Sequence, residues 1–358
     1  MNPAFIPSPF VFPSLPLAPS GSALDAIVQP FRPSIADFLA LNIRDLFESN
    51  SGAPDSQLDA VQPPPARAVT TSVIVNTWNH SAYIEDCIES LLVQTVLPDE
   101  IIVYDDGSDD DTVTRLRRYA SRITLIQGKP LSLPAFLRQA NAIQIAFARS
   151  TGQLIFLLDG ADRFKRDKIQ HYAAAYAADH EAALVQSPMD KIDVHGRILG
   201  TNHEPRKHVV EHLAEIYRQQ DVDFYYPTSA LAFARSYLDS VFPLDFSDGR
   251  ALWIDTRLSI IAPYYGRVLT LPQSLTEWRR QAGPDSLRAR SRNLQIQQTL
   301  MRTEVFNCFC RRYGLRTISA WRNSRFYKQL LRFSLPELAY DLFYHHVRPR
   351  VMRSPQIG

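Results

Sequence analysis

Cysteine is scarce in the 358-residue sequence, with only Cys87, Cys308 and Cys310. A small odd number in a chain this long excludes a disulfide-stapled scaffold. Cys308-Phe309-Cys310 lacks the two-residue spacing of zinc knuckles, and there is no second pair to complete a site. Reduced thiols and a cytoplasmic location are the expectation. Long hydrophobic runs are missing too. No stretch approaches the roughly 18 apolar residues of a spanning helix. The opening MNPAFIPSPFVFPSLPLAPS is apolar, but it has no basic leading segment, and its prolines would break a helix, so no signal peptide is expected. Charge of one sign is nearly absent as a net quantity, at +2, which is too little to argue for a nucleic-acid partner. There is no GxGxxG after the first strand and no Walker A sequence, which argues against dinucleotide-binding and P-loop proteins. HExxH, GxSxG and the kinase signatures are also missing.

What is present divides the chain into three parts. Residues 1–66 hold 12 of the 25 prolines and read as an extended, poorly ordered extension. One helical candidate lies within it, SIADFLALNIRDLFE, and SGAPDSQLDAVQPPPAR follows as a linker. Residues 67–290 form the expected main domain. TTSVIVNTW, DEIIVYDDGS, RITLIQG and GQLIFLLDGAD read as strands. HSAYIEDCIESLLVQT, DDTVTRLRRYAS and PAFLRQANAIQIAFARSTG read as the intervening helices, the last closed by Gly152. This alternation predicts an α/β fold with a mostly parallel, Rossmann-like sheet and helices on both faces. EAALVQSPMDKIDVHGRILG reads as a strand, a turn at His195-Gly196 and a second strand. Residues 291–358 read as a helical, arginine-rich C-terminal extension.

In an open parallel sheet, ligands bind beyond the carboxyl ends of the strands. Those ends carry Asn76-Thr77-Trp78-Asn79, Asp105-Asp106-Gly107-Ser108 and Asp159-Gly160-Ala161-Asp162. Clustered carboxylates repel unless something positive lies among them. A divalent cation holding a diphosphate meets that need, and so does a ring of hydrogen bonds to a base and ribose. Asp109 to Asp111 are expected only to cap the next helix. Asp106 and Asp159, at strand ends, are the functional candidates.

These residues resemble the family-2 glycosyltransferases, which have the GT-A fold. SVIVNTWNHSAYIEDCIESLLVQTVLPDEIIVYDDGSDDDT is similar to the family's opening block, and GQLIFLLDGADRFKRDKI to its DxD block. TSALAFARSYLDSVFPL is similar to the acceptor-side segment, and DTRLSIIAPYYGRVLTLPQSLTEWRRQ to the region of the catalytic base and the Tyr-Arg-x-His element. The likeness spans roughly residues 70 to 285, in the family's order and spacing. It implies that Thr77 and Asn79 line a nucleotide site and that Asp105 or Asp106 binds the base or ribose. It further implies that Asp159 opens the DxD element, that Asp159 and Asp162 hold Mg2+ or Mn2+, and that Arg279 lies near the diphosphate. Asp255 takes the place of the catalytic base, with Asp248 a less well-aligned rival. The activity implied is transfer of a sugar, with inversion, from a nucleotide-diphosphate donor to a glycan, lipid-linked or protein acceptor.

The sequence departs from that pattern at named positions. The second DxD carboxylate is Ala161, and alanine cannot ligate a hard cation. The family's helix Asn and Gly fall on Gln144 and Ala146. Its final His falls on Gln281, and the acidic neighbour of the base on Ile254. A catalytically degenerate binding or scaffold protein on the same fold is therefore the alternative. A different nucleotide-handling enzyme would want a basic glycine-rich loop where NTWNHSAY stands. The C-terminal segment RNSRFYKQLLRFSLPELAYDLFYHHVRPRVMR reads as a helical cap, or as a peripheral contact with an anionic membrane at its inner face.

Overall fold

The computed structural model describes residues 69–246, 248–280 and 292–330. The helical candidate before residue 50 and the end of the arginine-rich arm lie outside those residues. Contacts within the chain separate Met1–Pro63 from Pro64–Gly358, and everything below concerns the second unit.

The first half alternates as the periodicity predicts. Strand β1 (Thr71–Thr77) is a β-branched run, buried as a central parallel strand should be. Helix α1 (Ile84–Leu92) buries Ile84, Cys87, Ile88 and Leu91 along one face. β2 (Glu100–Asp105), α2 (Thr112–Leu116), β3 (Thr124–Gln127), α3 (Ala135–Phe147) and β4 (Leu154–Asp159) follow. α2 is shorter than its sequence suggested and tightens into a 3-10 turn at Arg117–Tyr119. Gly152 follows α3 where a Cβ would come within 2.4 Å of Ser72 Oγ. Glycine there lets the chain pass against β1 before it enters β4.

The remaining elements are β5 (Arg163–Phe164), α4 (Lys168–Ala178), β6 (Ala182–Gln186), β7 (Met189–Ile192), β8 (Ile198–Thr201), α5 (His212–Gln219), β9 (Leu231–Ala234), α6 (Arg235–Val241), α7 (Ile254–Ile261), β10 (Arg267–Thr270), β11 (Thr276–Arg279), α8 (Arg292–Arg312) and α9 (Ser324–Leu330). The stretch read as one strand before His195-Gly196 is two. Ser187-Pro188 interrupts it, and β6 and β7 enter different sheets. Proline cannot donate to a ladder, so it stands at the crossover.

A seven-stranded sheet runs β10-β6-β9-β4-β1-β2-β3, and a four-stranded sheet runs β5-β11-β7-β8. In the large sheet only β9 is antiparallel to its neighbours. The fold is thus α/β with a mixed, mostly parallel sheet, as expected. β1 pairs with β2 on one side and β4 on the other. The chain winds outward through β2 and β3 and then returns to pair β4 with β1. That reversal opens a crevice at the carboxyl ends of β1 and β4, where such sheets bind ligands. The register sets Asn76 beside Asp159 there, and Thr77 beside Asp105.

α8 does not stand apart from this core. Its Val305, Phe306 and Cys310 are buried in the same apolar cluster as β1 and β4.

Candidate active site

The crevice is a cavity of about 430 Å³. It is lined by the end of β1, the start of α3, Asp106, Ala161, Trp253 and the end of β11. The turn after β4 approaches β1 closely. A Cβ on Gly160 would lie 2.6 Å from Thr77 Oγ1, so any larger residue would push the Asp159–Asp162 turn off its seat.

Asp159 lines the cavity. Gln139 Nε2 donates to its Oδ1 at 3.2 Å, and its backbone N–H donates to Ser229 Oγ at 3.0 Å. Burial raises its carboxyl to about 6, with the nearby Asp255 adding to the shift and the amides of Asn76 and Gln139 opposing it. Asp162 also borders the cavity, but both its oxygens are engaged. The Ser229 hydroxyl donates to Oδ2 at 2.6 Å and the Arg279 backbone N–H to Oδ1 at 2.8 Å. Burial first, and Asp159 second, push it up to about 8. Asp162 therefore ties the DxD turn to β11. Behind it, fully buried Lys168 donates to Ser229 O at 2.8 Å and Thr276 Oγ1 at 2.7 Å. Burial holds that amine well below its ordinary value.

Of the two aspartates after β2, Asp106 borders the cavity. Arg138 Nε lies 3.3 Å from its Oδ2, and its Oδ1 is buried without a partner. Burial raises this carboxyl, Arg138 pulls it back, and Asp105 adds to the rise. Asp105 instead closes its own turn, accepting from Ser108 N at 3.0 Å and Ser108 Oγ at 2.5 Å. Thr77 is buried at the cavity wall, with Oγ1 3.1 Å from His80 Nδ1. Asn79 takes a left-handed φ of 54°. Its amide exchanges two hydrogen bonds with Asp109, at 2.7 and 3.0 Å, a loop clamp outside the cavity lining. Among the capping aspartates, Asp110 binds Thr112 N at 2.9 Å and Ser81 N at 3.0 Å. These bonds outweigh burial and bring Asp110 to about 2.

Asp255 lies in the first turn of α7 and is 9% exposed. Thr228 N and Oγ1 donate to its Oδ2 at 3.0 and 3.1 Å. Thr256 N and Oγ1 donate to its Oδ1 at 2.6 and 3.3 Å. The rival Asp248 is paired with Arg257 through two 2.8 Å bonds, so it staples a loop.

Arg279 borders the cavity, but its side chain is 1% exposed. Its guanidinium donates to the carbonyls of Ala161 at 2.9 Å and Val194 at 3.1 Å, and to Asp86 at 3.2 Å. It also stacks 4.6 Å from the Tyr83 ring. Arg279 thus braces the Ala161 turn. Its neighbour Arg280 stacks 4.5 Å over Trp278 at the cavity wall, and Arg138 stacks 4.5 Å over Trp78. Sequence reasoning missed Arg138, Gln139, Trp78 and Trp253 as site residues, whereas it pairs Arg280 with Arg279 as a source of positive charge. Trp78 stood beside motif residues, but nothing in the helical pattern of α3 marked Arg138 or Gln139.

Among the described residues no group of three or more His, Cys, Asp or Glu converges as a metal cage. The donors facing the crevice suit a hard cation in a different way. Asp159 offers one carboxylate, and the buried side-chain oxygens of Asn76 and Gln139 have no partner. Mg2+ is commonly held by one or two carboxylates together with substrate phosphates, so this set fits a cation that arrives with a diphosphate.

Residues 72–242 match the family model described as glycosyl transferase family 2. The match covers 171 of the 358 residues, just under half of the chain, and is a likeness of this region to that family. The chain is 30% identical over 212 residues to an uncharacterized glycosyltransferase of Nostoc sp., covering 58% of this chain and 64% of that one. It is 29% identical over 140 residues to chondroitin synthase of Escherichia coli, 38% of this chain and 20% of that one. A putative teichuronic acid biosynthesis glycosyltransferase of Bacillus subtilis is 33% identical over 102 residues, 28% of this chain and 38% of that one. The chain therefore spans under two thirds of the length of each of these relatives. The mannosyltransferase PcManGT of Pyrobaculum calidifontis, at 17% identity, superposes with a TM-score of 0.49 over 92% of this chain and 94% of that one, a loose likeness. No helix among the described residues is long and apolar enough to cross a membrane.

Proposed function

We propose that the protein transfers a sugar, with inversion, from a nucleoside-diphosphate sugar to a hydroxyl of a glycan or lipid-linked acceptor. The observation that carries this reading is the cavity at the β1/β4 reversal of a family-2-like domain. It gathers Asp106, Asp159, Arg138 and Arg280 on one crevice.

Asp106, with its unpartnered oxygen, suits an N–H of the base or a ribose hydroxyl. Thr77 lines the same wall, whereas Asp105 and Asn79 shape the loops that present it. The diphosphate falls toward Arg280 and Arg138. Asp159, with the amide oxygens of Asn76 and Gln139, would hold Mg2+ or Mn2+, and Asp162 would join by releasing Ser229 or the Arg279 amide. When bound, that cation supplies positive charge against the leaving diphosphate. The arginines supply the same kind of charge from the protein.

Asp255 is the proposed base. Thr228 and Thr256 hold its carboxylate at the N-terminus of α7, so an acceptor hydroxyl must take the place of one of these donors. That hydroxyl would give its proton to Asp255 while its oxygen attacks the anomeric carbon opposite the departing diphosphate. A single displacement inverts the configuration.

Calorimetry with UDP, GDP and dTDP, with and without manganese, tests the reading. Binding of one nucleotide that is lost in Asp159→Ala supports it. Asp255→Asn should keep nucleotide binding and lower kcat by about a hundredfold or more, the scale of a lost general base. Ala161 and the engaged oxygens of Asp162 favour a second reading, a binding protein without turnover. Failure to transfer or hydrolyse any donor, with nucleotide binding intact, would select it.

A further inference from the structure

Lys168, the first residue of α4, is fully buried. Its amine lies 4.4 Å from the centroid of the Phe164 ring and 4.5 Å from that of Tyr172. It donates to Ser229 O at 2.8 Å and to Thr276 Oγ1 at 2.7 Å. Burying an amine is costly even when its partners are neutral hydrogen-bond acceptors. A methionine would fill the same slot between the rings without that cost. What the amine adds is its hold on Ser229 O, to which Thr276 Oγ1 also donates at 3.1 Å. One helical turn on, Tyr172 donates to Ala230 O at 2.7 Å. Two donors on one face of α4 thus grip consecutive carbonyls of the 3-10 turn Thr228–Ala230.

That turn touches all three aspartates of the proposed chemistry. Thr228 N and Oγ1 donate to Asp255. Ser229 Oγ accepts from Asp159 N and donates to Asp162. Hydrogen bonds from the DxD turn and from α7 therefore meet on two adjacent residues. We propose that Lys168 is a positioning residue for the transfer reaction: by fixing Ser229 O it sets where Asp255 stands relative to Asp159 and Asp162. This rests on the glycosyltransferase reading above. Thr77 and Asp106, assigned to the nucleotide, are held by other groups, His80 and Arg138. Loss of the amine should therefore spare nucleotide binding and slow turnover, since a shift on the order of 1 Å in a reacting group can cost about a hundredfold.

Lys168→Met in the full chain tests this by three measurements. The first is hydrogen exchange of the 228–230 segment without ligands. The second is calorimetry with UDP, GDP and dTDP. The third is release of nucleoside diphosphate from UDP-glucose, UDP-N-acetylglucosamine, GDP-mannose and dTDP-glucose with manganese. Exchange at 228–230 should rise about tenfold or more, while β1 and β2 keep wild-type protection. Nucleotide affinity and KM should stay within about twofold, and kcat should fall about ten- to a hundredfold. Thr276→Val removes the shared hydroxyl and keeps the amine. It should show the same split with a smaller fall in kcat, about threefold or more, and it decides the matter if Lys168→Met does not fold. A uniform rise in exchange across the sheet, a wild-type kcat in the folded variants, or nucleotide affinity that falls in step with kcat would overturn the proposal. Each would leave Lys168 as core packing and the enzyme reading untouched. A wild-type protein that binds nucleotide but turns over no donor would remove the enzyme reading, and the positioning role with it.

Discussion

Asp159 and Asp162 show how a residue's surroundings set its chemistry. Both are strand-end carboxylates, yet one faces the cavity while the other is locked by Ser229 and Arg279. Their folded-state values of about 6 and about 8 lie above the ordinary 3.8. Each keeps a proton in the fold that the unfolded chain has released. Stability linked to them is fully present below about pH 4 and declines as pH rises through those values. Denaturation midpoints of the ligand-free protein should therefore fall between about pH 4 and 8, and Asp162→Asn should flatten the upper part of that fall, between about 6 and 8. An unchanged slope in the variant would remove Asp162 as the cause. His212 titrates with the opposite sign. Burial lowers it to about 4 from 6.5, and neither ring nitrogen has a partner. Its contribution is present above about pH 6.5 and lost as pH falls toward 4, on the order of 3 kcal/mol in all. His212→Phe keeps the stack on Tyr225, now at 5.7 Å, and should make acid unfolding shallower, as read by circular dichroism against pH.

At the scale of elements, several motif residues turn out to join parts of the fold. Gln94 bonds Ser90 O at 2.9 Å, Lys165 O at 2.8 Å and Ile169 N at 3.1 Å, linking α1 to the start of α4. Gln144, where the family has Asn, accepts from Leu244 N at 2.8 Å. The approach to α7 is held by Arg257, which binds Asp248 and the carbonyls of Arg250 at 2.7 Å and Leu252 at 3.2 Å. Asp248→Asn leaves a buried guanidinium half paired and should cost about 3–5 kcal/mol in urea unfolding, with loss of activity following from loss of fold. Asp255→Asn should lose turnover far more than stability. If the two variants behaved the other way round, Asp248 would be the better candidate for the base.

At the scale of the whole molecule, the family-2 region ends at residue 242, but the folded body does not. β10 pairs with β6, and β11 with β7 and β5. α7 brings Asp255, and α8 inserts Phe306 and Cys310 into the common core. A chain cut after Phe242 would leave those ladders and that core open to water. It should give no cooperative thermal transition, whereas a chain covering residues 64–330 should melt cooperatively. A cooperative transition in the shorter chain would show that the later elements are accessory.

Read alone, the sequence determined the α/β class, the strands from β1 to β4 and the placing of Asp159 at a strand end. These follow from local periodicity and from where carboxylates interrupt apolar runs, and both are written in consecutive residues. It also showed, through Ala161, that the DxD element is incomplete. It did not separate Asp105 from Asp106, or Asp248 from Asp255. Which of each pair is tied up depends on Ser108, Arg257 and Thr228, and only the last two of these are far from the motif or across a loop. Nor did it show what α8 packs on, since Phe306 and Phe309 meet Tyr217, Tyr264 and Tyr265 from elements far away in sequence. That Arg279 braces the turn while Arg280 faces the cavity was decided by tertiary structure alone. Adjacent residues on a strand point to opposite sides, and only the packing of β11 against Ala161 and Asp86 settles which side is the ligand's.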